Sequence, residues 1–293
     1  MSQSQKYLAA LCLFLLMAAC SPLAATPTAS PSPSPSPAMT MTATPLPTIQ
    51  RATRIPTATP VPDDTGWRTL ATGVEWRRLW AGTGAGRERL RLVRLDPGQV
   101  RLRVVYQPAH PRHISQWADA LPAALLVVNA GYFSPEKQVT GLTISDGVAS
   151  GRPYDDFAGM LAVSAGGQTS VRWLRTWPYR PDEGLAQAVQ SFPLLVKPGG
   201  VMGFPPDADE GQRSRRTVVA QDTSGRIILL VSPNLRFSLH ELAVWLTESD
   251  LALDIALNLD GGHSSGLWLK GHDEQIDSPE IIPAVIVVEP AGE

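Results

Sequence analysis

The chain reads as an α+β fold: a mostly antiparallel, mixed sheet with two or three inserted helices. Three observations lead there. Short apolar runs recur between Gly, Pro, Asn and Asp turn signals, so strands dominate and are mostly hairpin-linked. Two or three segments carry helical periodicity or capping signals instead. No internal repeat links the segments, which leaves one irregular layered domain.

Taken in order, Leu90, Leu92 and Leu95 lead into an Asp96-Pro97-Gly98 turn. Val100, Leu102, Val104 and Tyr106 then alternate with Gln99, Arg101 and Arg103, so 89–106 is expected to be a hairpin. Residues 114–121 read as a short helix and 124–129 as a buried strand. Residues 141–149 form a strand pair around Asp146-Gly147. Residues 160–164 and 170–173 flank a Gly-Gly turn, 183–190 looks helical, and 193–197 is a strand. Residues 217–221 and 226–232 make a second hairpin around Thr223-Ser224-Gly225. Ser238 and Glu241 make a capping box that opens a helix with Leu239, Leu242, Ala243 and Leu246 on one face. Residues 254–259 are a core strand and 281–288 a closing one.

The first 65 residues lie outside this fold. Lys6 and the apolar run 8–17 have the make-up of an export signal, too short to span a bilayer as a stable helix. It ends Leu16-Met17-Ala18-Ala19-Cys20. Small residues before a cysteine resemble the lipobox of bacterial lipoproteins, in which the cysteine is acylated and becomes the first mature residue. Residues 1–20 are therefore read as a lipoprotein signal peptide with Cys20 as the lipidation site. Met17 departs from the usual Leu, and an ordinary signal cleaved after an alanine is the alternative. Residues 21–65 are rich in Pro, Thr, Ser and Ala, a composition suited to a semi-rigid tether. The expected location is the outer side of the cytoplasmic membrane or the cell envelope.

The remaining stretch, 66–293, has the length of one domain. The chain has two cysteines, Cys12 and Cys20, so this domain has no disulfide, no cysteine-held zinc and no cysteine nucleophile. Lys and Arg total 25 against 27 for Asp and Glu, a balance that gives no reason to expect a nucleic-acid partner. Arg91, Arg94, Arg101 and Arg103 alternate with apolar residues and read as the solvated face of a sheet. The histidines at 110, 113, 240, 263 and 272 show no paired metal-ligand spacing. The sequence demands no cofactor. A divalent cation such as calcium on aspartate side chains stays open.

The chemistry-bearing segments follow apolar runs. Residues 251–257 lead into Asn258-Leu259-Asp260-Gly261-Gly262-His263-Ser264-Ser265. A buried strand that ends in a carboxylate, two glycines and two hydroxyls delivers Asp260 to a surface that a ligand can approach closely. The glycine amides with the hydroxyls of Ser264 and Ser265 would cradle an anionic oxygen. Val127-Val128-Asn129-Ala130-Gly131-Tyr132-Phe133 repeats the pattern with Asn129. Gln190-Ser191-Phe192-Pro193 opens another strand. Arg213-Ser214-Arg215-Arg216-Thr217 enters a third, where an arginine can hold a phosphate or carboxylate in bidentate fashion.

Taken together with Gly141–Gly147, these motifs and their order resemble the phosphodiester glycosidase family across roughly 85–290. The Asn258–Ser265 stretch with Arg216-Thr217 upstream is the most specific part. Ala130 stands where that family usually has glycine, as does His263, which could narrow the pocket or add an acid/base group. The resemblance implies hydrolysis of a sugar linked through its anomeric carbon to a phosphodiester, in a cell-surface or extracellular glycan. Arg216 would neutralise the phosphodiester. Asp260 would react as nucleophile or as base toward water, and Asn129 and Gln190 would orient substrate. Tyr132 would stack on the sugar. Thr217, Asn258, Gly261, Gly262, His263, Ser264 and Ser265 would complete the binding site. Ordinary glycosidases use a second carboxylate, for which Glu136, Asp155 and Asp222 are candidates.

Two rival readings remain. Gly262-His263-Ser264-Ser265-Gly266 matches the G-x-S-x-G elbow of serine hydrolases, but strand and turn signals follow where that elbow needs a helix. A non-catalytic glycan-binding lipoprotein could instead use Trp173, Trp177 and Trp268 as a sugar platform.

Overall fold

The computed structural model describes residues 63–82 and 87–292. The signal segment, Cys20 and nearly all of the tether lie outside the described residues. Among the described residues are seventeen strands and two α-helices. In chain order the strands are β1 (Arg68–Ala71), β2 (Val74–Ala81), β3 (Glu88–Leu95), β4 (Val100–Tyr106), β5 (Leu126–Asn129), β6 (Thr143–Ser145), β7 (Val148–Ser150), β8 (Gly159–Ser164) and β9 (Thr169–Trp173). Then come β10 (Leu185–Ser191), β11 (Leu194–Lys197), β12 (Val201–Met202), β13 (Ser214–Asp222), β14 (Ile227–Phe237), β15 (Leu253–Asn258), β16 (Leu267–Leu269) and β17 (Ala284–Pro290). The helices are α1 (Ile114–Ala120) and α2 (Leu239–Glu248).

The strands form three antiparallel sheets. The largest runs β1-β2-β3-β14-β13-β15-β11-β12, the second β7-β6-β10-β8-β9, and the third β16-β5-β17-β4. This overturns the α+β expectation: the fold is mostly β, built from three sheets. Helix α1 covers the outside of the third sheet through Ile114, Trp117 and Ala118 against Val127, Val285 and Val287. Helix α2 covers the outside of the first through Leu242, Ala243 and Leu246 beside Val196, Val218 and Ala256. Its capping box is present, with Ser238 Oγ accepting from the Glu241 amide at 3.2 Å and the Glu241 carboxylate accepting from the Ser238 amide at 2.9 Å.

The three sheets meet in one core. Leu229, Val219 and Leu257 come from the first, Leu161 and Val189 from the second, and Val128 and Ile286 from the third. The central strands are covered on both faces, so they read as unbroken apolar runs. In β15, Ile255 and Leu257 face this shared core while Ala256 faces α2.

Two further expectations are corrected. Residues 183–190 do not form a helix; most of this segment is β10, between β6 and β8. Its Leu, Ala and Gln content suits a helix, but both faces are covered, with Val189 in the shared core and Ala188 in a second cluster. Gln187 is satisfied only in a strand: its Oε1 accepts from the Val104 amide at 3.0 Å and its Nε2 donates to Asp146 at 2.8 Å. Residues 89–106 are not a hairpin either. The Asp96-Pro97-Gly98 turn forms, but β3 pairs with β2 and β14 while β4 pairs with β17. The turn carries the chain from one sheet to another. The arginines read as a solvated face are largely paired: Arg91 with Glu274, Arg94 with Glu75, and Arg103 with Asp146 and Glu289.

Candidate active site

The site forms where β5, β13 and β15 end side by side. In the β13–β15 ladder Val218 faces Asn258, and the Leu259 amide donates to the Thr217 carbonyl at 2.8 Å. Arg216 and Asp260 each lie two residues beyond the Val218–Asn258 pair, past the end of the ladder. From the other side, the Asp260 amide donates to the Ala130 carbonyl at 3.2 Å. Segments far apart in sequence are thereby joined by backbone alone.

Asn129 locks this junction. Its Nδ2 donates to the Asp260 carbonyl at 2.7 Å. Its Oδ1 accepts from the Thr217 hydroxyl at 2.8 Å and from the Gly266 amide at 3.2 Å. Asn129 and Thr217 are both buried. Their polar atoms are turned on the protein, so they position Asp260 from behind.

Asp260 itself is half-buried. Burial pushes its carboxyl up to about 6, and Glu280 raises it further, while the Ser264 hydroxyl, the Gly261 amide and Lys137 favour the carboxylate. The Gly261 amide and the Ser264 hydroxyl, read from sequence as part of an anion cradle, thus hydrogen-bond Asp260 instead. A Cβ on Gly261 would lie 2.9 Å from the Arg215 carbonyl oxygen and 4.0 Å from Arg216 Nη1. The close approach excludes a side chain at 261 and shows the guanidinium beside the segment that carries Asp260. Gly262 has φ +61°, which suits glycine. The buried Ser265 hydroxyl has no protein partner.

Arg216 is half-buried. Its Nε donates to the Phe237 carbonyl at 3.3 Å and one Nη to the Gln212 carbonyl at 2.6 Å. Both partners are neutral, and among the described residues Arg216 is in no salt bridge. Burial pulls its pKa down, Tyr132 and Asp209 acting against this through space. A desolvated guanidinium without a contacting carboxylate is a seat for an anion.

An aromatic wall borders the charged pair. Tyr132 is raised by burial and then by Asp260, while Arg216 and the Asn258 amide lower it. Its hydroxyl donates to the Phe192 carbonyl at 2.9 Å and accepts from Asn258 Nδ2 at 2.8 Å. The Tyr132 ring lies 4.8 Å from that of Phe192, which meets Tyr154 at 5.3 Å and the exposed Phe157 at 5.5 Å. Gln190, expected to touch substrate, is buried. Its Oε1 accepts from the Tyr154 amide at 2.6 Å, so it braces this wall.

Of the proposed second carboxylates, Asp222 is placed away from the site. Asp222 is at the far end of β13 from Arg216, roughly 20 Å along the strand, tied to Arg226 at 2.7 Å. Glu136 and Asp155 are exposed on loops. The carboxylate that acts on Asp260 through space is Glu280, which sequence reasoning missed. Its amide donates to the His263 carbonyl at 3.0 Å, and its carboxylate accepts from Lys137 Nζ at 2.6 Å. His263 is exposed; Ala130 is buried in the shared core.

The rival sites do not assemble. Strand β16 follows Ser264 where an elbow needs a helix, and His272 meets Trp76 edge-on at 4.1 Å. Trp173 is flanked by Arg175 and Lys197, Trp177 carries Arg172, and Trp268 belongs to a different sheet. His113 and His240 each bond a backbone carbonyl. Among the described residues no three His, Cys, Asp or Glu converge as metal ligands.

A family model described as phosphodiester glycosidase matches residues 123–288, which hold Asn129, Arg216, Asp260 and Glu280. The chain belongs to the phosphodiester glycosidase family. Among solved structures it is similar to the zebrafish N-acetylglucosamine-1-phosphodiester alpha-N-acetylglucosaminidase catalytic domain auto-inhibited by its pro-peptide. The two share 18% identity over 76% of this chain and 86% of that one, with a TM-score of 0.61. A hypothetical protein from Synechocystis is 19% identical over 75% of this chain and 62% of its own, with a TM-score of 0.52. A putative exported protein from Burkholderia pseudomallei is 14% identical over 70% and 74%, also with a TM-score of 0.52. These likenesses show a shared fold. A search of curated proteins finds no match.

The junction makes a direct prediction. Asn129→Ala strands three polar partners, at roughly 1–3 kcal/mol for each that stays buried and unpaired. Denaturant unfolding is expected to show a loss of about 2–4 kcal/mol, relaxation included. Unchanged stability would show that Asn129 does not hold the junction.

Proposed function

We propose that this protein hydrolyses a sugar-1-phosphodiester at the glycosidic bond, acting on cell-surface or extracellular glycan. The observation that carries the reading is that a half-buried Arg216, in no salt bridge among the described residues, lies beside the segment that carries the desolvated Asp260.

Each group has a task in this chemistry. Arg216 neutralises the phosphodiester and stabilises the charge that grows on it as the bond breaks. Asp260, as the carboxylate, attacks the anomeric carbon, and the C–O bond to phosphorus-bound oxygen breaks with its electron pair leaving on phosphate. That leaving group is already a weak base, so the first step needs no strong acid. Tyr132 and the Phe192 wall offer an apolar face to the sugar ring. Asn129 and Thr217 act through Asp260. Family membership supports the glycosidase class; the sugar-1-phosphodiester substrate is this proposal's own step. Location in the envelope through a lipid on Cys20 is a further part of the proposal and rests on the sequence of residues 1–20.

Two variants test the reading. Asp260→Asn should lower kcat at least a hundredfold, and wild-type kcat/KM should rise with pH through about 6 as Asp260 ionises. The folded value lies above the unfolded one near 3.8. Ionised Asp260 therefore costs stability, absent below about pH 4 and complete above about pH 6. The gain in thermal stability from Asp260→Asn should be larger at pH 8 than at pH 4. Undiminished turnover would remove Asp260 from the chemistry. Arg216→Gln should cost about 10²–10³ in kcat/KM on a sugar-1-phosphodiester. Equal loss on a neutral aryl glycoside would show that Arg216 does not read the phosphate.

A further inference from the structure

The reaction as proposed leaves a glycosyl ester on Asp260 that water must open. We propose that Glu280 is the base that activates this water, with Lys137 as its positioning residue. The inference rests on the glycosidase reading and extends it to the second half of the reaction.

Glu280 is placed for this by both backbone and side chain. Its amide donates to the His263 carbonyl at 3.0 Å, which fixes it against the turn that begins at Asp260. Its charge is felt at the Asp260 carboxyl through space. The carboxylate is 43% exposed, so water reaches it. Lys137 holds it from the far side: Nζ is 2.6 Å from the carboxylate, donates to the Ile281 carbonyl at 3.0 Å and lies over the Phe133 ring at 4.7 Å. Lys137 has φ +62°, a left-handed conformation uncommon for a lysine, and sits in the loop that follows the Asn129–Phe133 motif. An ammonium anchored at three points gives Glu280 a fixed direction.

The step balances as follows. The Glu280 carboxylate takes a proton from water, whose oxygen bonds to the anomeric carbon. The bond from that carbon to the Asp260 oxygen breaks, and its electron pair restores the Asp260 carboxylate. Glu280 then releases the proton to solvent. Arg216 takes no part, because the phosphate has already left.

The test uses the full chain with N-acetylglucosamine 1-(methyl phosphate) and the variants Glu280→Ala and Glu280→Gln. Both are expected to release methyl phosphate in a burst of about one equivalent per enzyme and then to turn over at least a hundredfold more slowly than wild type. Intact-mass spectrometry should show one sugar added to the chain. Sodium azide should restore turnover of Glu280→Ala and yield the glycosyl azide. Lys137→Met should slow the steady state without abolishing the burst. Wild-type turnover by either Glu280 variant overturns the proposal, as does slow turnover with neither burst nor azide product. If wild-type enzyme itself leaves the substrate intact, the glycosidase reading falls and takes this step with it.

Discussion

The site depends on the Asn129 carboxamide. One buried side chain bonds the carbonyl of Asp260, the hydroxyl of Thr217 and the amide of Gly266. Thr217 is on β13 of the first sheet, and Asp260 and Gly266 are on the loop that runs from β15 to β16 of the third. A carboxamide can do this because it donates and accepts from one rigid plane. With it in place, the segment after β15 is held between β13 and β5, and it passes beside the Arg216 guanidinium. The glycines follow from the same packing. Gly261 passes the Arg215 carbonyl too closely for a side chain, and Gly131 lies tight against Val189 and the Gln190 carbonyl.

The electrostatics follow from that geometry. Burial near the ends of β13 and β15 desolvates a guanidinium and an acid that form no ion pair with each other. Each is then held away from its ordinary protonation balance, Asp260 upward and Arg216 downward, with burial as the leading cause in both. Such an arrangement costs stability in the free protein and is relieved when an anionic ligand reaches the arginine. The aromatic residues around Tyr132 offer an apolar face suited to a sugar ring, and the Lys137–Glu280 pair offers charge suited to water.

Much of the site was legible because its parts lie at the ends of apolar runs. Asp260 and Asn129 each follow such a run directly, and Arg216 sits at the mouth of one. The roles were harder to read. Thr217, Gln190, Ser264 and the Gly261 amide were expected to meet substrate, yet each serves a neighbouring protein group, because burial is set by three-dimensional packing. Glu280 gave no signal: it stands between Pro279 and Ile281, and its partner Lys137 lies 143 positions away. The fold class was missed for related reasons. Composition at 183–190 favours a helix until two strands flank it, and a Pro-Gly turn looks the same whether it closes a hairpin or passes between sheets.

The most direct measurement of where the bond breaks is hydrolysis of N-acetylglucosamine 1-(methyl phosphate) in oxygen-18 water, with mass analysis of the released methyl phosphate. The account places attack at the anomeric carbon, so the methyl phosphate should leave with its own oxygens and carry no label. Label in the methyl phosphate would mean attack at phosphorus, and the roles given to Asp260 and Arg216 would be wrong.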